Sequence, residues 1–256
     1  MNISNGTRKW LTIFALVFYA HASSVCCSIR YGFLADAFAR KKVPGKIYGL
    51  IGTSLIAGYV FMFATQILES WMRKCNSMVI LASNMLGFAI VALLTGFAYC
   101  IPNTTAVIAI SFVMRMLQGL LAYTSTLAPV DFINANFPNE FDMVNGLLNM
   151  GYFSGHGIAE AVGCVIYDHF GYEVAFVFSA VVAVISGIGV VCFIPKSRTY
   201  VSSQIPDIVQ TEAGTEPHDT KLTKLLIFPL IATMLVNANY GVLQVSLHDP
   251  MSLKSL

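Results

Sequence analysis

An arginine and a glutamine stand together inside an apolar stretch of the chain. Arg115 is the one charged residue between Ala106 and Val130, and Gln118 and Gly119 follow it. In a helix these three positions are i, i+3 and i+4, so they share one face. A guanidinium stays ionised at physiological pH. Its insertion at the centre of a bilayer costs about 2.5–3.5 kcal/mol on the scales derived from helix-insertion experiments, which give the lower values. We therefore expect Arg115 and Gln118 to donate hydrogen bonds to a buried group, either a bound solute or carbonyls of neighbouring helices.

A second polar pair lies in the next apolar stretch, where His156 and Glu160 are four residues apart. At a rise of about 1.5 Å per residue, the depths below the outer surface are about 13 Å for Arg115, about 16 Å for His156 and about 10 Å for Glu160. The three side chains are therefore expected at one level of the membrane. Glu160 is expected to be the ion-pair partner of Arg115, a protonatable switch, or a residue that faces elsewhere.

The composition indicates the class of protein that holds these residues. Of the 256 residues, 56% are hydrophobic and 11% are charged, whereas soluble domains have about 25% charged residues. This balance predicts an all-α integral membrane protein in contact with the lipid bilayer. The net charge of +2 is small, and the basic residues cluster at the ends of apolar segments, so a nucleic-acid partner is excluded.

Seven apolar stretches reach the roughly 20 residues that a helix needs to cross a bilayer. They are Trp10 to Ile29, Ile47 to Leu68, Ser77 to Ile101, Ala106 to Val130, Met143 to Tyr167, Val174 to Ile194 and Leu225 to Leu247. Short connections make neighbouring helices antiparallel, whereas the segment before the last stretch is long and polar. The sequence therefore predicts a six-helix transmembrane bundle in residues 1–195, a flexible cytoplasmic linker in residues 196–223, and a seventh transmembrane helix with a short tail in residues 224–256.

Lysine and arginine near the segment ends indicate the orientation. With a cytoplasmic N-terminus, eight basic residues lie inside, namely Arg8, Lys9, Arg73, Lys74, Lys196, Arg198, Lys221 and Lys224. Five lie outside, namely Arg30, Arg40, Lys41, Lys42 and Lys46. The difference favours a cytoplasmic N-terminus. The alternative of a cleaved signal peptide ending near Ala22 is disfavoured, because the apolar run continues to Ile29.

Other residues that could do chemistry have simpler explanations. The six cysteines show no CxxC or cysteine–histidine ligand spacing, so we expect buried thiols and neither a metal site nor a cofactor. No Ser/His/Asp, HExxH or paired-carboxylate arrangement indicates an enzyme. Gly151, Gly155 and Gly163 have the spacing of close helix packing, and no Gly-Lys-Ser/Thr follows them that would indicate a phosphate loop.

The run Arg115-Met116-Leu117-Gln118-Gly119 resembles the RxxQG signature on the fourth helix of major facilitator superfamily transporters. The resemblance covers residues 10–195 well and the seventh helix more loosely. It implies a fold of twelve helices in two six-helix halves, with the substrate between the halves near the midplane. This chain then corresponds to a truncated copy that holds the first half and one further helix.

The loop after the second helix resembles the family's gating loop, GxxxDRxGRR, with several changes. Glu69 stands for the acidic residue, and Arg73 and Lys74 stand for the basic pair. Thr65 and Met72 replace the two glycines. The resemblance implies a gating role for Glu69, Arg73 and Lys74.

The fifth and sixth helices resemble one branch of the family. Gly155 and Gly163 match the glycine spacing of the antiporter motif, while Ala159-Glu160-Ala161 replaces its Gly-Pro centre. The stretch Tyr167 to Phe176 is similar to the connection between helices five and six of vesicular amine and polyamine transporters. The resemblance therefore implies a vesicular amine transporter-like antiporter.

The resemblance implies a secondary active transporter of small organic solutes, with amines and polyamines as substrates and protons as coupling ions. Arg115, Gln118 and Gly119 would then line a polar pathway together with His156 and Glu160. The alternative is a truncated, non-transporting membrane protein that acts through association with another transporter half. A seven-helix receptor fits the helix count, but the long linker before the last helix argues against it. Vesicular, lysosomal and plasma membranes are all compatible with the sequence.

Overall fold

The apolar stretches of the sequence fold into long helices. The computed structural model describes residues 5–65 and 67–196, and all regular structure in these ranges is helical. In chain order the elements are α1 (Asn5–Ser28), α2 (Leu34–Arg40), α3 (Gly45–Thr65), α4 (Ile67–Lys74), α5 (Ser77–Ala98), α6 (Thr104–Asn136), a 3-10 helix (Pro138–Glu140), α7 (Phe141–Phe170) and α8 (Tyr172–Phe193). The six long helices overlap the first six predicted stretches. The short helices α2 and α4 go beyond the prediction.

Four of the described helices are long and apolar enough to cross a membrane, namely Gly6–Ser28, Ser77–Ala98, Thr104–Asn136 and Tyr172–Phe193. The apolar part of α3 is shorter and runs from Ile47 to Met62. With 30 residues, α7 is about 45 Å long, which exceeds the roughly 30 Å of a hydrocarbon core. Its composition is more polar, since His156 and Glu160 lie in its second half. Of the six spans predicted in this part of the chain, four therefore meet both length and hydropathy, α7 meets length alone, and α3 has a shorter apolar segment.

The exposed surfaces of α5 and α8 are apolar. Their exposed side chains include Leu86, Ile90, Leu94 and Phe97 on α5, and Val181, Ile185 and Ile188 on α8. A continuous apolar surface of this extent is unusual for a protein in water and suits the hydrocarbon core of a bilayer. These two helices therefore form a lipid-facing side.

Contacts at the helix ends show that the long helices alternate in direction. At one end, Lys9 near the start of α1 forms a salt bridge with Glu140, which precedes α7, and the Thr12 hydroxyl donates to the carbonyl of Phe193 at 2.9 Å. At the other end, Lys41 Nζ after α2 donates to the carbonyl of Ile101, between α5 and α6, at 2.9 Å. Together α1 and α2 therefore traverse the whole bundle.

Glycines bring α7 into backbone contact with α1. A Cβ atom added at Gly151 would lie 2.6 Å from Val17 O, one at Gly155 would lie 2.5 Å from His21 O, and one at Gly163 would lie 2.2 Å from Ile29 O. A Cβ atom at any of these three positions would overlap the backbone oxygen that faces it, so only glycine fits. The structure thus places all three glycines of the predicted packing set against α1, where van der Waals contact holds helices together in lipid.

The chain separates into two units, Met1–Tyr200 and Val201–Leu256. The helices described above all belong to the first unit. The predicted linker, apart from Lys196, and the predicted seventh helix lie outside the described residues.

Candidate functional site

The long element formed by α1 and α2 is interrupted at residues 29–33, which we call the break. Ile29 N still donates to the carbonyl of Val25, four residues back, at 3.0 Å. Tyr31 N instead donates to the carbonyl of Ser28, three residues back, at 2.9 Å. A helix end leaves its last four carbonyls without helical donors, and inside a membrane protein those carbonyls must find other partners.

Side chains of α6 bind the carbonyls at this end of α1. Gln118 Nε2 donates to the carbonyl of Cys26, and Arg115 Nη1 donates to the carbonyl of Cys27 at 3.0 Å. Gln118 exposes 2% of its surface and Arg115 exposes none. Of the two kinds of acceptor that the sequence left open, a bound solute or carbonyls of neighbouring helices, these hydrogen bonds are of the second kind.

Arg30 lies in the break, whereas its position in the sequence had placed it among the cations of an outer loop. It exposes only 2% of its surface, so that assignment was wrong. Its Nη2 donates to Gln118 Oε1, and its Cζ lies 5.7 Å from the centroid of the Phe176 ring. Arg30 is buried because the chain turns at the break while it is still inside the bundle. From the break, α2 continues to the end of the bundle at Arg40.

Gln118 Oε1 is the shared acceptor of two guanidinium groups. Arg115 Nη1 donates to this oxygen at 2.7 Å, and Arg30 Nη2 donates to the same oxygen. Arg115 Nη2 also donates to the Tyr31 hydroxyl. The Nε atoms of Arg30 and Arg115 are buried and have no hydrogen-bond partner among the described residues. We call Arg30, Arg115 and Gln118, with the carbonyls of Cys26 and Cys27, the arginine site.

The arginine site carries excess positive charge. Among the side chains that the structure describes, the ion pairs are Lys9–Glu140 and Arg40–Asp36, and neither includes Arg30 or Arg115. The carboxyl end of α1 supplies a partial negative charge of about half a unit. Most of the two positive charges is therefore not compensated within the described part of the chain.

His156 lies beside the arginine site on α7. Its Nδ1 is hydrogen-bonded to the hydroxyl of Ser28, the last residue of α1. Ser28 is fully buried, whereas the His156 side chain is exposed. Because Ser28 adjoins Cys27, whose carbonyl binds Arg115, the structure places His156 close to the depth of Arg115.

Glu160 lies one helical turn beyond His156, beside Gly32 of the break. A Cβ atom added at Gly32 would lie 2.8 Å from the carbonyl oxygen of Glu160. The Glu160 side chain is half-buried, and it forms no ion pair with Arg115 within the described residues. Of the three alternatives for Glu160, the ion pair with Arg115 is not formed, because the Nη donors of Arg115 point to α1, Gln118 and Tyr31.

Gly119 serves the packing of α6 rather than the arginine site. A Cβ atom added at Gly119 would lie 2.0 Å from Leu55 O of α3, and one at Gly58 would lie 2.0 Å from Met116 O of α6. The two glycines thus let α3 and α6 touch backbone to backbone. This contact fixes the helix that presents Arg115 and Gln118, which lie on the neighbouring α1 side.

The predicted gating residues lie on α4. Lys74 is its exposed last residue. The side chains of Glu69 and Arg73 lie outside what the structure describes. Their gating role stays a prediction.

Arg30 and Tyr31 contact the site although the sequence patterns did not indicate a role for them. A signal was present, because apolar residues follow Arg30 as well as precede it: Phe33, Leu34, Ala37 and Phe38 all come before the basic cluster at 40–42. That cluster, not Arg30, lies at the end of the long element. A spanning segment extended to residue 40 would have placed Arg30 inside the membrane.

These features define a class of protein: an all-α integral membrane protein whose helical bundle holds a charged site at a break in a long helix. The model of the Major Facilitator Superfamily matches residues 45–248 of the 256. Because that match covers well over half of the sequence, the chain belongs to the major facilitator superfamily, whose members are secondary transporters of small solutes and not enzymes. Comparison with the curated proteins gave no significant match. The superfamily is thus confirmed, while the resemblance to the vesicular amine branch stays a prediction.

Proposed function

We propose that this chain is a secondary active transporter of small organic solutes, with the arginine site as part of the solute pathway. The observation that carries the proposal is the burial of Arg30 and Arg115 at the break without an acidic partner in the described residues. Ionised side chains inside a membrane protein are costly and mark solute or ion pathways. Transporters also build their solute sites at interrupted helices, where freed backbone groups and helix ends meet the ligand.

The proposed mechanism is alternating access, in which two six-helix halves rock around a site near the midplane. The seam between α1 and α7 at Gly151 and Gly155 is held by backbone contact, so we expect these two helices to move together. The break at residues 29–33 is the joint in the same long element. A change in angle at the break would alter the access of Arg30 to solute.

Protons are the proposed coupling ions, and Glu160 is the proposed titrating group. Its side chain is half-buried and forms no ion pair within the described residues, so its charge depends on access to solvent. His156 lies one turn away on the same helix, and Cys164 and Asp168 follow on that face. Protonation of Glu160 would change the net charge next to the arginine site.

The test is uptake by the purified 256-residue chain in proteoliposomes with an imposed pH gradient. We expect gradient-driven accumulation of an organic solute by the wild-type chain and its loss in Arg115→Met. Arg8→Gln is the matched control, because Arg8 is exposed and lies at the opposite end of α1. Absence of uptake for every solute in a panel of organic anions, cations and neutral molecules would contradict the proposal.

Glu160→Gln tests the proton role separately. If protonation of Glu160 drives the cycle, wild-type uptake falls as pH rises through the titration of this group, and the variant shows a flat pH profile. A variant with the wild-type pH profile would remove Glu160 from the coupling mechanism and leave the solute pathway in place.

A second candidate function is association with another transporter half without transport by this chain alone. The exposed side of α7 favours it, since Met150 and Phe153 lie next to the exposed His156 and the mixture is unlike the apolar surface of α8. Such a mixed face suits contact with protein. Cross-linking from a cysteine placed at position 153 in native membranes tests it, and a monomeric product only would count against it.

A further inference from the structure

We propose that the arginine site binds the carboxylate or phosphate group of a small organic anion. The inference rests on the proposed transport function for the route by which the anion arrives, and it names the charge class of the solute. It departs from the amine substrates that the sequence resemblance implies.

Two buried Nε donors of the site are available to a further acceptor, while the Nη2 atoms of Arg30 and Arg115 each already donate one hydrogen bond. The Nε atoms of Arg30 and Arg115 are buried and have no hydrogen-bond partner within the described ranges. The rings of Phe176 and Tyr31 lie 5.7 and 5.0 Å from the respective Cζ atoms, so a further ligand must approach the guanidinium edges. An edge with Nε and Nη presents two parallel N–H donors, which match two oxygens of a carboxylate or phosphate.

The charge balance favours the same ligand. Arg30 and Arg115 both donate to the neutral amide oxygen of Gln118. The carboxylate of Asp36, in α2, is already used, since it accepts from Arg40 Nε at 2.9 Å and from the Tyr167 hydroxyl at 2.8 Å. Two buried cations without a counter-ion destabilise each other, and an anion between them removes that cost. An amine would add a third positive charge.

Access to the site requires a second conformation. Arg115 exposes none of its surface and Arg30 exposes 2%, so the site is closed in this structure. Alternating access would open the site. The apparent affinity for an anion is then the affinity of the open conformation multiplied by the fraction of molecules that are open. The measurement must therefore be made with the anion in large excess.

The first test is thermal unfolding of the purified wild-type chain with four probes at matched ionic strength: glutarate, inorganic phosphate, spermidine and tetraethylammonium. We expect glutarate or phosphate to raise Tm by on the order of 5 °C at about 100 times Kd, with no rise for the two cations. Stabilisation by the cations without stabilisation by the anions would overturn the inference.

The second test places the charge of the anion in the chain. Gln118→Glu puts a carboxylate where both guanidinium groups already donate, and it removes the Nε2 donor to the Cys26 carbonyl. Because the built-in carboxylate occupies the place of the anion, we expect no further rise in Tm with glutarate. Arg30→Gln should weaken the apparent affinity for glutarate about 10- to 100-fold. Arg8→Gln is the control and should keep the wild-type response. A Gln118→Glu chain with the full glutarate response would overturn the inference, and this result does not depend on the folding of Arg30→Gln.

A carboxylate of the protein itself is the competing source of the same chemistry. Two variants separate the sources: Glu160→Gln, and a chain in which the five acids of residues 201–256 become amides (Asp207, Glu212, Glu216, Asp219 and Asp249). If a solute is the ligand, the second variant keeps the wild-type Tm and the wild-type glutarate response. Glu160→Gln then binds glutarate at least as tightly as the wild-type chain, because it loses a negative charge next to the arginine site. A lowered Tm that glutarate restores would assign the site to that internal carboxylate and overturn the inference.

The outcome is distinguishable from failure of the proposed function. Uptake of spermidine but not of glutarate in proteoliposomes would leave a transporter and contradict an anionic solute. A glutarate response in Tm without uptake of any solute would keep the anion site and contradict transport by this chain.

Discussion

Two parts of the same long helix are held in the bundle by different kinds of contact. The inner part of α1 packs against Gly151 and Gly155, and its helix is continuous. After Ser28, in what we call the outer part, the helix breaks. Arg115 and Gln118 of α6 donate hydrogen bonds to the carbonyls of Cys27 and Cys26 there. The inner seam is stabilised by close backbone contact, whereas the outer part is held by buried polar groups. One helix thus combines a rigid packing surface with a charged joint, and the two should respond differently to substitution.

The largest effect is expected at the outer part, from Gln118→Met. This change removes the acceptor of both guanidinium groups and the donor to the Cys26 carbonyl. Unpaired buried charges and carbonyls are costly, so we expect a loss of about 3 kcal/mol in the free energy of unfolding. Unfolding in mixed micelles with SDS measures it. A loss below about 0.5 kcal/mol would show that Gln118 is not the centre of the site.

A smaller effect is expected at the inner seam, from Gly155→Ala. The added Cβ would lie 2.5 Å from His21 O and 2.8 Å from Ser24 Cβ, and neither backbone can move freely. We expect a loss of about 1–3 kcal/mol in the same SDS titration.

Gly157→Ala is the matched control on the same helix, because an added Cβ there meets nothing within 4 Å. It should stabilise the chain by up to about 1 kcal/mol through helix propensity. Equal effects of the two substitutions would mean that α1 and α7 do not touch at Gly155.

The smallest effect is expected at the inner rim, from Glu140→Gln. The partners of the Lys9–Glu140 salt bridge each expose 36% of their side-chain surface, and such pairs contribute less than about 1 kcal/mol. The difference should shrink further at high salt. A loss as large as that of Gln118→Met would show that this rim contact, and not the seam, fixes the start of α1.

The inner seam could be predicted from the sequence, and the outer break could not. The spacing of Gly151, Gly155 and Gly163 predicts close packing because small residues act locally, through the width that they leave on one helix face. Arg115 and Gln118 were also predicted as buried donors, because a cation inside an apolar run has few alternatives.

The break depends on contacts between distant segments. Residues 26–31 contain no proline, and the carbonyls that the break releases are bound by α6, about 90 residues later. Arg30 therefore looked like the first residue of an outer loop, since it follows an apolar run of about 20 residues. The apolar run ends where α1 ends, within one residue, but the long element continues through α2 to residue 40.

The central claim is that Arg30 and Arg115 share one site that lacks its own counter-charge. A double-mutant cycle with Arg30→Met and Arg115→Met measures the free energy of their interaction in the purified chain. Each single change removes the repulsion between the two cations, and the double change cannot remove it a second time. The double variant should therefore be less stable than the sum of the single changes predicts, by about 1–2 kcal/mol. Saturating glutarate should abolish this coupling. Additivity within about 0.5 kcal/mol, with and without glutarate, would contradict the account.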